Sequence, residues 1–527
     1  MLVSDLIRLA ARRTPLAPAL TFKAETLTYD ELDALMQATA RALIECGLGR
    51  GERVAIYLPK QIETVAGMFG AAASGGVYVP VNPGLKARQV CHIMADCNVR
   101  VLITSPDRFS GIEEVLDQVP DLKLVVLTGA VPDSANDRIR MIGWQEFQAI
   151  GNASSVSPHR VIDNDMVAIL YTSGSTGLPK GVVLSHGNIV CGAQSVSEYL
   201  ENTPEDRILS VLPLSFDYGM SQLTTAFNAG ASVVLMNYLL ARDVVRAVEE
   251  YKITGLACVP PLWIQLAGLE WSQAASNSVR YFTNSGGRMP RAVLDQLRKR
   301  LPKAKPYLMY GLTEAFRSTY LPPSEVDKRP DSIGKAIPNA EIMVVRPDGI
   351  LCDAGEPGEL VHRGPLVALG YWNDSARTAE RYKPAPGQPS GIPLTEMAVW
   401  SGDTVMRDEE GFLYFVGRRD EMIKTSGYRV SPTEVEEVIF ASGQVRVAAA
   451  VGVEHRELGQ AIVVFAEAAE GQTLDTSALT AYCRAQMPTY MVPHRIIEKT
   501  DMPTNPNGKI DRKKLSEEVV DLFKEPA

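Results

Sequence analysis

The chain has 527 residues, of which 46% are hydrophobic and 22% are charged, and its formal net charge is -9 at pH 7. This composition predicts a large buried core spread over more than one domain, and so acidic a chain is a poor candidate for binding nucleic acid. Its seven cysteines are scattered without a CxxC pair, which disfavours a disulfide framework and a zinc site and predicts a cytoplasmic location.

The predicted elements of residues 1 to about 416 alternate between β-branched runs and helical patterns. Residues 1–13 form a short amphipathic pattern without the apolar core of a signal peptide. Residues 65–81 are apolar but rich in glycine and alanine, which predicts a buried helix followed by a strand and no membrane span. Residues 231–236 predict a strand and residues 243–252 a helix, so we expect parallel α/β layers.

A smaller unit is predicted to begin near Glu421. Ser431 and Glu434 flank a proline before an apolar run, which predicts a helix start in which the serine caps the helix and the glutamate reaches back. Residues 445–453 and 461–466 predict strands, and residues 475–486 predict a helix. These elements together predict an α+β module.

Residues 172–181 read TSGSTGLPKG and follow an apolar run that predicts a buried strand at residues 166–171. Glycine allows the backbone to approach a ligand closely, hydroxyls donate hydrogen bonds, and lysine supplies a compact positive charge. An ordinary turn is the alternative, but the unbroken run exceeds what a turn requires. The residues expected to contact a nucleoside triphosphate are Thr172, Ser173, Gly174, Ser175, Thr176, Gly177 and Lys180.

This loop is not a Walker loop. Pro179 stands where that pattern has glycine, and no serine or threonine follows Lys180. The sequence therefore disfavours GTPases and mononucleotide kinases.

Five further segments have polar residues in positions that suit nucleotide chemistry, although each one has a plain structural alternative. The Thr313-Glu314 pair could open a helix, the Gly286-Gly287 and Gly402-Asp403 pairs could be turns, and residues 417–420 could be a charged surface turn. The fifth segment, residues 503–511, is a turn-rich loop that carries Lys509.

Taken in chain order, these six segments resemble the signatures of the AMP-forming adenylating enzymes. That superfamily holds acyl-CoA synthetases, the adenylation domains of nonribosomal peptide synthetases, and luciferase. The resemblance implies an α/β fold with a large multi-layer N-terminal domain of mostly parallel sheets, residues 1–419, and a small mobile α+β C-terminal domain, residues 420–527. It places the hinge between them at Asp420.

The resemblance also implies roles for individual residues. Thr313 would contact phosphate, Glu314 and Thr176 would hold Mg²⁺, and Lys509 would reach the α-phosphate. Gly427 would line the approach of the thiol. The remaining residues implied to bind ATP are Gly286, Gly287, Tyr310, Gly311, Asp403 and Arg418.

The implied chemistry is activation of a carboxylic acid. Attack of the carboxylate on the α-phosphate of ATP gives an acyl adenylate and pyrophosphate, and a thiol then displaces AMP. Charge builds on phosphoryl oxygens in the transition state, so cations and donors are needed there. The implied cofactors are ATP, Mg²⁺ and either CoA or the phosphopantetheine of an acyl carrier protein.

Two residues bear on the identity of the acid. Asp217 lies among apolar residues, where a carboxylate is costly without a cation, and its Ser-Phe-Asp context resembles the branch that activates amino acids. Arg317 falls where that branch lines its substrate pocket. It could pair with a second substrate carboxylate, which favours a β-amino or dicarboxylic acid, or it could pair with Asp217 itself.

Other classes and other acceptors stay open at this point. A luciferase-like oxygenase would need a luminogenic pocket that the sequence does not show, and a binding-only protein would be expected to lack Lys509, Glu314 or Asp403. Since no carrier domain follows Ala527, we expect a stand-alone ligase of the acyl-CoA ligase type, or one that loads a separate carrier protein.

Overall fold

The structure is a computed structural model that describes residues 1–132, 138–172, 179–418, 422–425, 428–455, 458–487, 489–506 and 508–523. Within these ranges, the side chains of Arg418, Lys424, Tyr428 and Arg429 are not described. The predicted site residues that lie outside the described residues are Ser173, Gly174, Ser175, Thr176, Gly177, Asp420 and Gly427.

Helices occur throughout the described chain. They are α1 (Asp5–Arg13), α2 (Tyr29–Glu45), α3 (Ile62–Ser74), α4 (Ala87–Asp96), α5 (Pro106–Ser110), α6 (Trp144–Ala153), α7 (His186–Tyr199), α8 (Asp217–Ala229), α9 (Ala241–Glu250), α10 (Pro260–Ala267), α11 (Gln273–Ser278), α12 (Arg291–Arg300), α13 (Ser375–Arg381), α14 (Pro432–Ala441), α15 (Thr476–Gln486) and α16 (Arg512–Glu518). Short 3₁₀ turns occupy Glu113–Gln118, Thr313–Ala315, Pro323–Glu325 and Thr489–Met491.

Strands alternate with these helices. They are β1 (Pro18–Phe22), β2 (Glu25–Thr28), β3 (Arg53–Tyr57), β4 (Val77–Pro80), β5 (Val99–Thr104), β6 (Leu124–Leu127), β7 (Arg140–Gly143), β8 (Met166–Thr172), β9 (Lys180–Ser185), β10 (Arg207–Ser210), β11 (Ser232–Leu235), β12 (Gly255–Cys258), β13 (Tyr281–Asn284), β14 (Lys305–Tyr310), β15 (Thr319–Leu321), β16 (Ser332–Ala336), β17 (Glu341–Val345), β18 (Pro357–Arg363), β19 (Gly370–Tyr371), β20 (Tyr382–Pro384), β21 (Met397–Arg407), β22 (Leu413–Arg418), β23 (Ile423–Thr425), β24 (Tyr428–Val430), β25 (Val445–His455), β26 (Gly459–Ala468) and β27 (Arg495–Glu498).

Two sheets form the large part of the molecule. One has the strand order β17-β18-β21-β22-β16-β15-β14-β13-β12-β10-β11-β1-β2, and its central neighbours from β14 to β1 are parallel. The other has the order β19-β9-β8-β4-β3-β5-β6-β7 and is parallel from β8 to β7. A single apolar core contains residues of both sheets and of helices α2, α3, α7 and α8, so the expected multi-layer α/β architecture is confirmed.

A third sheet, with the order β24-β23-β26-β25 and β27 beside β26, forms the small C-terminal part together with α14, α15 and α16. It has apolar cores of its own, around Ile439 and Val464 on one face and around Phe465 and Leu515 on the other. This arrangement confirms the predicted α+β module.

The helix start predicted at Ser431 is correct in position but wrong in detail. Helix α14 begins at Pro432, yet the Ser431 side chain accepts no capping hydrogen bond. Its hydroxyl is buried and has no hydrogen-bond partner among the described residues. Tertiary packing has therefore replaced the local cap that the sequence pattern favours.

The other predicted elements agree with the structure to within a few residues. Residues 65–81 form most of α3 followed by β4, and residues 166–171 form β8. Residues 231–236 contain β11 and residues 243–252 overlap α9. No helix in the described part of the chain is long and apolar enough to span a membrane.

Gly192 on α7 makes room for a strained turn beside the cleft. Phe316 has a φ of 55° and is fully buried. A Cβ atom at Gly192 would lie 2.3 Å from the Phe316 ring, so only glycine leaves space for that ring. The contact fixes the backbone between Glu314 and Arg317.

We expect Gly192→Ala to lower the free energy of unfolding by about 1–2 kcal/mol. Alanine favours the helix by about 1 kcal/mol, but overpacking against a ring that cannot move costs more. Urea unfolding followed by fluorescence measures the difference. Gly391→Ala is the matched control, because Gly391 is exposed and a Cβ there would meet no atom within 4 Å. Equal stability of the two variants would contradict this account of Phe316.

Candidate active site

Lys180, Glu314 and Tyr371 form a compact polar cluster where the two large sheets meet. Lys180 Nζ lies 3.1 Å from Glu314 Oε1 and donates to Tyr371 Oη at 2.7 Å. Tyr371 Oη in turn donates to Glu314 Oε1 at 2.5 Å. Lys180 Nζ also lies 4.1 Å from the centroid of the Tyr371 ring, which is a cation–π distance.

The backbone of residues 368–372 positions this cluster. Ala368 N donates to Glu314 O at 2.9 Å, and Leu369 N donates to Val183 O at 2.9 Å. Tyr371 then pairs with Val182 of β9, two residues after Lys180. One short segment thus ties the strand of the lysine to the turn of the glutamate, and we call it the 368–372 strap.

Glu314 stays ionised because its neighbours outweigh its burial. Burial raises the pKa of a carboxyl group, but the positive charge of Lys180 and the hydrogen bond from Tyr371 together hold the pKa of Glu314 below its ordinary value. A carboxylate in this state is a suitable ligand for a hard divalent cation.

Asp217 is a buried carboxylate at the first position of α8, with 5% of its surface exposed. Its Oδ1 accepts a hydrogen bond from Thr313 Oγ1 at 3.1 Å. Burial raises the pKa of Asp217, and the charges of Arg317 and Lys509 oppose that rise. Thr313 therefore does not cap a helix, which the Thr-Glu pattern allowed; its hydroxyl holds Asp217 instead.

Arg317 lies beside Asp217 but bonds elsewhere. Its Nη1 donates to Ser285 Oγ at 3.0 Å, and its guanidinium carbon lies 4.7 Å from the centroid of the Tyr218 ring. Among the described residues no ion pair joins Arg317 to Asp217, so the internal pair that the sequence left open is not formed.

Lys509 reaches from the small C-terminal part into the same region. Its Nζ lies 5.3 Å from the centroid of the Phe216 ring. Gly286 has a φ of 81°, and a Cβ atom there would lie 2.7 Å from Lys509 Cε. Glycine at this position therefore permits both the turn after β13 and the approach of the lysine.

Asn82 holds the loop that carries Lys509. Its Nδ2 donates to the carbonyl oxygen of Pro506 at 2.7 Å, across the gap between the large and small parts. Within the loop, Asn505 N donates to Lys509 O at 2.7 Å and Asn505 Oδ1 accepts from Lys509 N at 3.1 Å. These hydrogen bonds tie Asn505 to Lys509 and Pro506 to the large part of the molecule.

Asp403 is a buried residue of β21. One of its carboxylate oxygens accepts a hydrogen bond from the Tyr310 hydroxyl. Asp403 pairs in register with Arg418 of β22. Gly311 follows Tyr310 and packs against the backbone of Arg317.

These residues line one cleft of about 1840 Å³ between the large and small parts of the molecule. Its walls include Lys180, Asp217, Glu314, Arg317, Asp403 and Lys509, which come from widely separated parts of the sequence. Thr172, Gly286, Gly287, Tyr310, Gly311 and Thr313 line it too.

Sequence comparison identifies the family. The AMP-binding enzyme family matches residues 7–372, and the AMP-binding enzyme C-terminal domain matches residues 434–509. The chain belongs to the AMP-binding enzyme family. This ligase is an ATP-dependent, AMP-forming enzyme that joins an acid to a pantetheine thiol, with ATP, Mg²⁺ and CoA or a carrier-bound phosphopantetheine as its cofactors.

Two curated relatives align over nearly their whole length. The L-proline--[L-prolyl-carrier protein] ligase of Streptomyces coelicolor is 32% identical, over 93% of this chain and 92% of that protein. The indoleacetate--CoA ligase of Aromatoleum aromaticum is 29% identical, over 97% and 96%. The crystal structure of the anthranilate CoA ligase AuaEII in complex with anthranoyl-AMP shares the fold, with a TM-score of 0.86 at 23% identity over 98% and 97% of the two chains.

Sequence reasoning missed Tyr371 and the contact made by Asn82. Tyr371 stands in a Gly-Tyr-Trp-Asn run, far from Lys180 and Glu314 along the chain, and nothing in that run indicates a polar partner. Asn82 falls in the Tyr78 to Pro83 segment, which resembles the family only weakly. Both contacts depend on how distant segments pack.

We expect Tyr371→Phe to move the acid limb of the pH–rate profile for adenylate formation to higher pH. Loss of the hydrogen bond from Tyr371 removes one cause that lowers the pKa of Glu314, so Glu314 becomes protonated at a higher pH than in the wild type. The rate above that limb should fall about tenfold, as expected for one hydrogen bond to a charged group. Pyrophosphate exchange measured against pH gives both quantities.

Tyr382→Phe is the matched control for this experiment. The Tyr382 ring packs edge-on against Tyr371, with centroids 5.7 Å apart, but its buried hydroxyl has no hydrogen-bond partner among the described residues. Its profile should match that of the wild type. An unshifted acid limb in Tyr371→Phe would contradict the role of Tyr371 in lowering the pKa of Glu314.

Proposed function

We propose that this ligase activates an acid that carries an amino group. The observation that carries the proposal is Asp217, a buried carboxylate on the wall of the cleft that forms no ion pair with any described residue. Among the described residues its side chain accepts one hydrogen bond, from the neutral Thr313 hydroxyl. A buried carboxylate that contacts no cation directly is costly, and a substrate ammonium would supply that contact.

One of the two curated relatives supports this substrate class, and the two have different acceptors. By its name, the prolyl-carrier protein ligase acts on an amino acid and a carrier protein, whereas the indoleacetate ligase uses CoA. In our proposal the acceptor of this ligase is the pantetheine thiol of either CoA or a separate carrier protein.

Two buried polar atoms support the proposed ATP site. Thr172 Oγ1, at the end of β8, and Asn284 Oδ1, at the end of β13, have no hydrogen-bond partner among the described residues. Both side chains line the cleft and would be satisfied by a nucleotide there. ATP would lie along Gly286, Gly287, Tyr310 and Gly311, with Asp403 and Arg418 at the ribose and Ser173–Gly177 at the phosphates.

The proposed reaction is displacement of pyrophosphate from the α-phosphorus by a substrate carboxylate oxygen. Lys180 and Lys509 supply positive charge where the phosphoryl oxygens gain negative charge, and Thr313 donates a hydrogen bond in the same region. Glu314 and Thr176 would hold Mg²⁺, which would neutralise phosphate charge.

We also propose that the small domain, residues 420–527, turns about a hinge at Asp420 between the two half-reactions. Lys509 in the cleft corresponds to the pose for adenylation. In the second pose Gly427 would line the entry of the thiol. Asp420 and Gly427 lie outside the described residues, so this step rests on the family resemblance. All seven cysteines are free, which supports a cytoplasmic location.

We expect Asn82→Ala to slow adenylation and to spare thioester formation from premade acyl-adenylate. Asn82 contacts the Lys509 loop in the pose that has the lysine in the cleft, and in our proposal a turn of the small domain breaks this contact, so its loss should destabilise the adenylation pose. One neutral hydrogen bond predicts a decrease of about 2–10-fold in pyrophosphate exchange. The two half-reactions are measured separately.

Two other variants calibrate this experiment. Lys509→Ala should abolish exchange while sparing the transfer step. Asn152→Ala, at an exposed position of α6, should leave both half-reactions unchanged. Equal losses in both half-reactions for Asn82→Ala would contradict the selective role.

The amine proposal predicts that pyrophosphate exchange favours amino acids over the same acids without the amino group. The wild-type preference should be at least about tenfold, and Asp217→Asn should remove most of it, since a charged hydrogen bond contributes about 1.5–3 kcal/mol. Equal exchange with matched acids would disprove amine recognition. Parallel reactions with CoA and with a phosphopantetheinylated carrier protein identify the acceptor.

A further inference from the structure

Arg317 is a buried cation in the acid-binding part of the cleft. Only 2% of its surface is exposed, and its Nε has no hydrogen-bond partner among the described residues. Among the described residues, its guanidinium donates to the neutral Ser285 hydroxyl and lies over the face of the Tyr218 ring. In the part of the chain that the structure describes, no carboxylate forms an ion pair with it. A buried guanidinium without an anion is costly, so a substrate anion would complete its surroundings.

Lys509 and Arg317 contact neighbouring residues of the same two short segments, residues 216–218 and 285–286. Phe216, Asp217 and Tyr218 are consecutive, as are Ser285 and Gly286. Lys509 contacts Phe216 and Gly286, whereas Arg317 contacts Tyr218 and Ser285. The charges of Arg317 and Lys509 both oppose the rise in the pKa of Asp217, so both cations lie near its carboxylate.

We propose that Arg317 binds a second carboxylate of the substrate, so that the acid activated by this ligase is a short aminodicarboxylic acid. One carboxylate faces Lys509 and reacts with ATP, the amine faces Asp217, and the other carboxylate faces Arg317. The inference rests on the proposed function and adds to it the identity of the group opposite the reacting carboxylate.

The space beyond Arg317 limits the length of the substrate. A separate cavity of about 20 Å³ lies behind Arg317 and Tyr218, which is room for about one water molecule. Tyr218 Oη and Thr283 Oγ1 are hydrogen-bonded at 2.5 Å, and both residues line this small cavity. This separate cavity is too small to receive a long acyl chain or a large aromatic group.

The shape of the arginine side chain suits it to bind a carboxylate at this position. A guanidinium presents several N–H groups in one plane and binds a carboxylate through two of them. Phe316, immediately before Arg317, has a positive φ of 55°. On the other side, a Cβ atom added to Gly311 would lie 3.1 Å from Arg317 Cα, so Gly311 packs closely against the Arg317 backbone. The backbone of Arg317 is thus held on both sides.

Pyrophosphate exchange by the full-length protein tests this assignment. The panel is L-aspartate and L-glutamate, their amides L-asparagine and L-glutamine, the deaminated acids succinate and glutarate, and L-alanine and L-valine as monocarboxylic amino acids. We expect one aminodicarboxylic acid to exceed its own amide in kcat/KM on the order of 100-fold or more, because a buried charged partner is left unpaired by the amide.

Variants of Arg317 separate recognition from folding. Arg317→Gln should remove the preference for the dicarboxylic acid over its amide, and Arg317→Lys should restore part of it. Arg242→Gln, at an exposed position of α9, should keep the wild-type preference. Thermal unfolding of each variant checks that the fold is retained.

Each outcome decides between the two proposals. Equal exchange with acid and amide, or exchange with alanine and valine alone, would overturn the second-carboxylate site while leaving amine recognition intact. Exchange with succinate or glutarate as fast as with the amino acids would retain the Arg317 site and disprove the role of Asp217. A uniform loss for all acids in Arg317→Gln would also overturn the inference, since it would indicate a structural role.

Discussion

The cleft depends on one constraint: opposite charges that are buried at the junction of two sheets must be held in fixed positions. Lys180 belongs to one large sheet and Glu314 follows a strand of the other, and the 368–372 strap bonds to both. Burial alone would raise the pKa of Glu314, whereas the fixed lysine and Tyr371 hold it below its ordinary value. The geometry of the proposed nucleotide site thus depends on backbone hydrogen bonds between the sheets.

The proposed acid-binding part of the cleft also contains buried opposite charges, but there they do not pair with each other. Lys180 and Glu314 satisfy each other, while Asp217 and Arg317 are close enough to influence each other but bond to neutral groups. A protein interior tolerates such groups when a ligand completes them. The difference separates the part of the cleft suited to phosphate and metal from the part suited to the substrate.

Local signals in the sequence were sufficient for much of the architecture. The apolar run of β8, the helix and strand within residues 65–81 and the elements of the C-terminal part were all predicted, because their periodicity matches their burial. The resemblance assigned Lys180, Glu314, Asp403 and Lys509 from the six segments to one site, together with Asp217 and Arg317, which lie outside those segments. No local rule brings residues from different sheets together. The cap at Ser431 was wrong and Tyr371 was missed, because both depend on tertiary packing.

The central claim is that a carboxylate oxygen of the substrate attacks the α-phosphate of ATP in this cleft. Incubation with an acid labelled with ¹⁸O in the reacting carboxylate, followed by transfer to the thiol and mass spectrometry of the nucleotide, tests it directly. The account predicts AMP that carries one ¹⁸O atom for each thioester formed. Unlabelled AMP, or ADP with labelled phosphate, would contradict it.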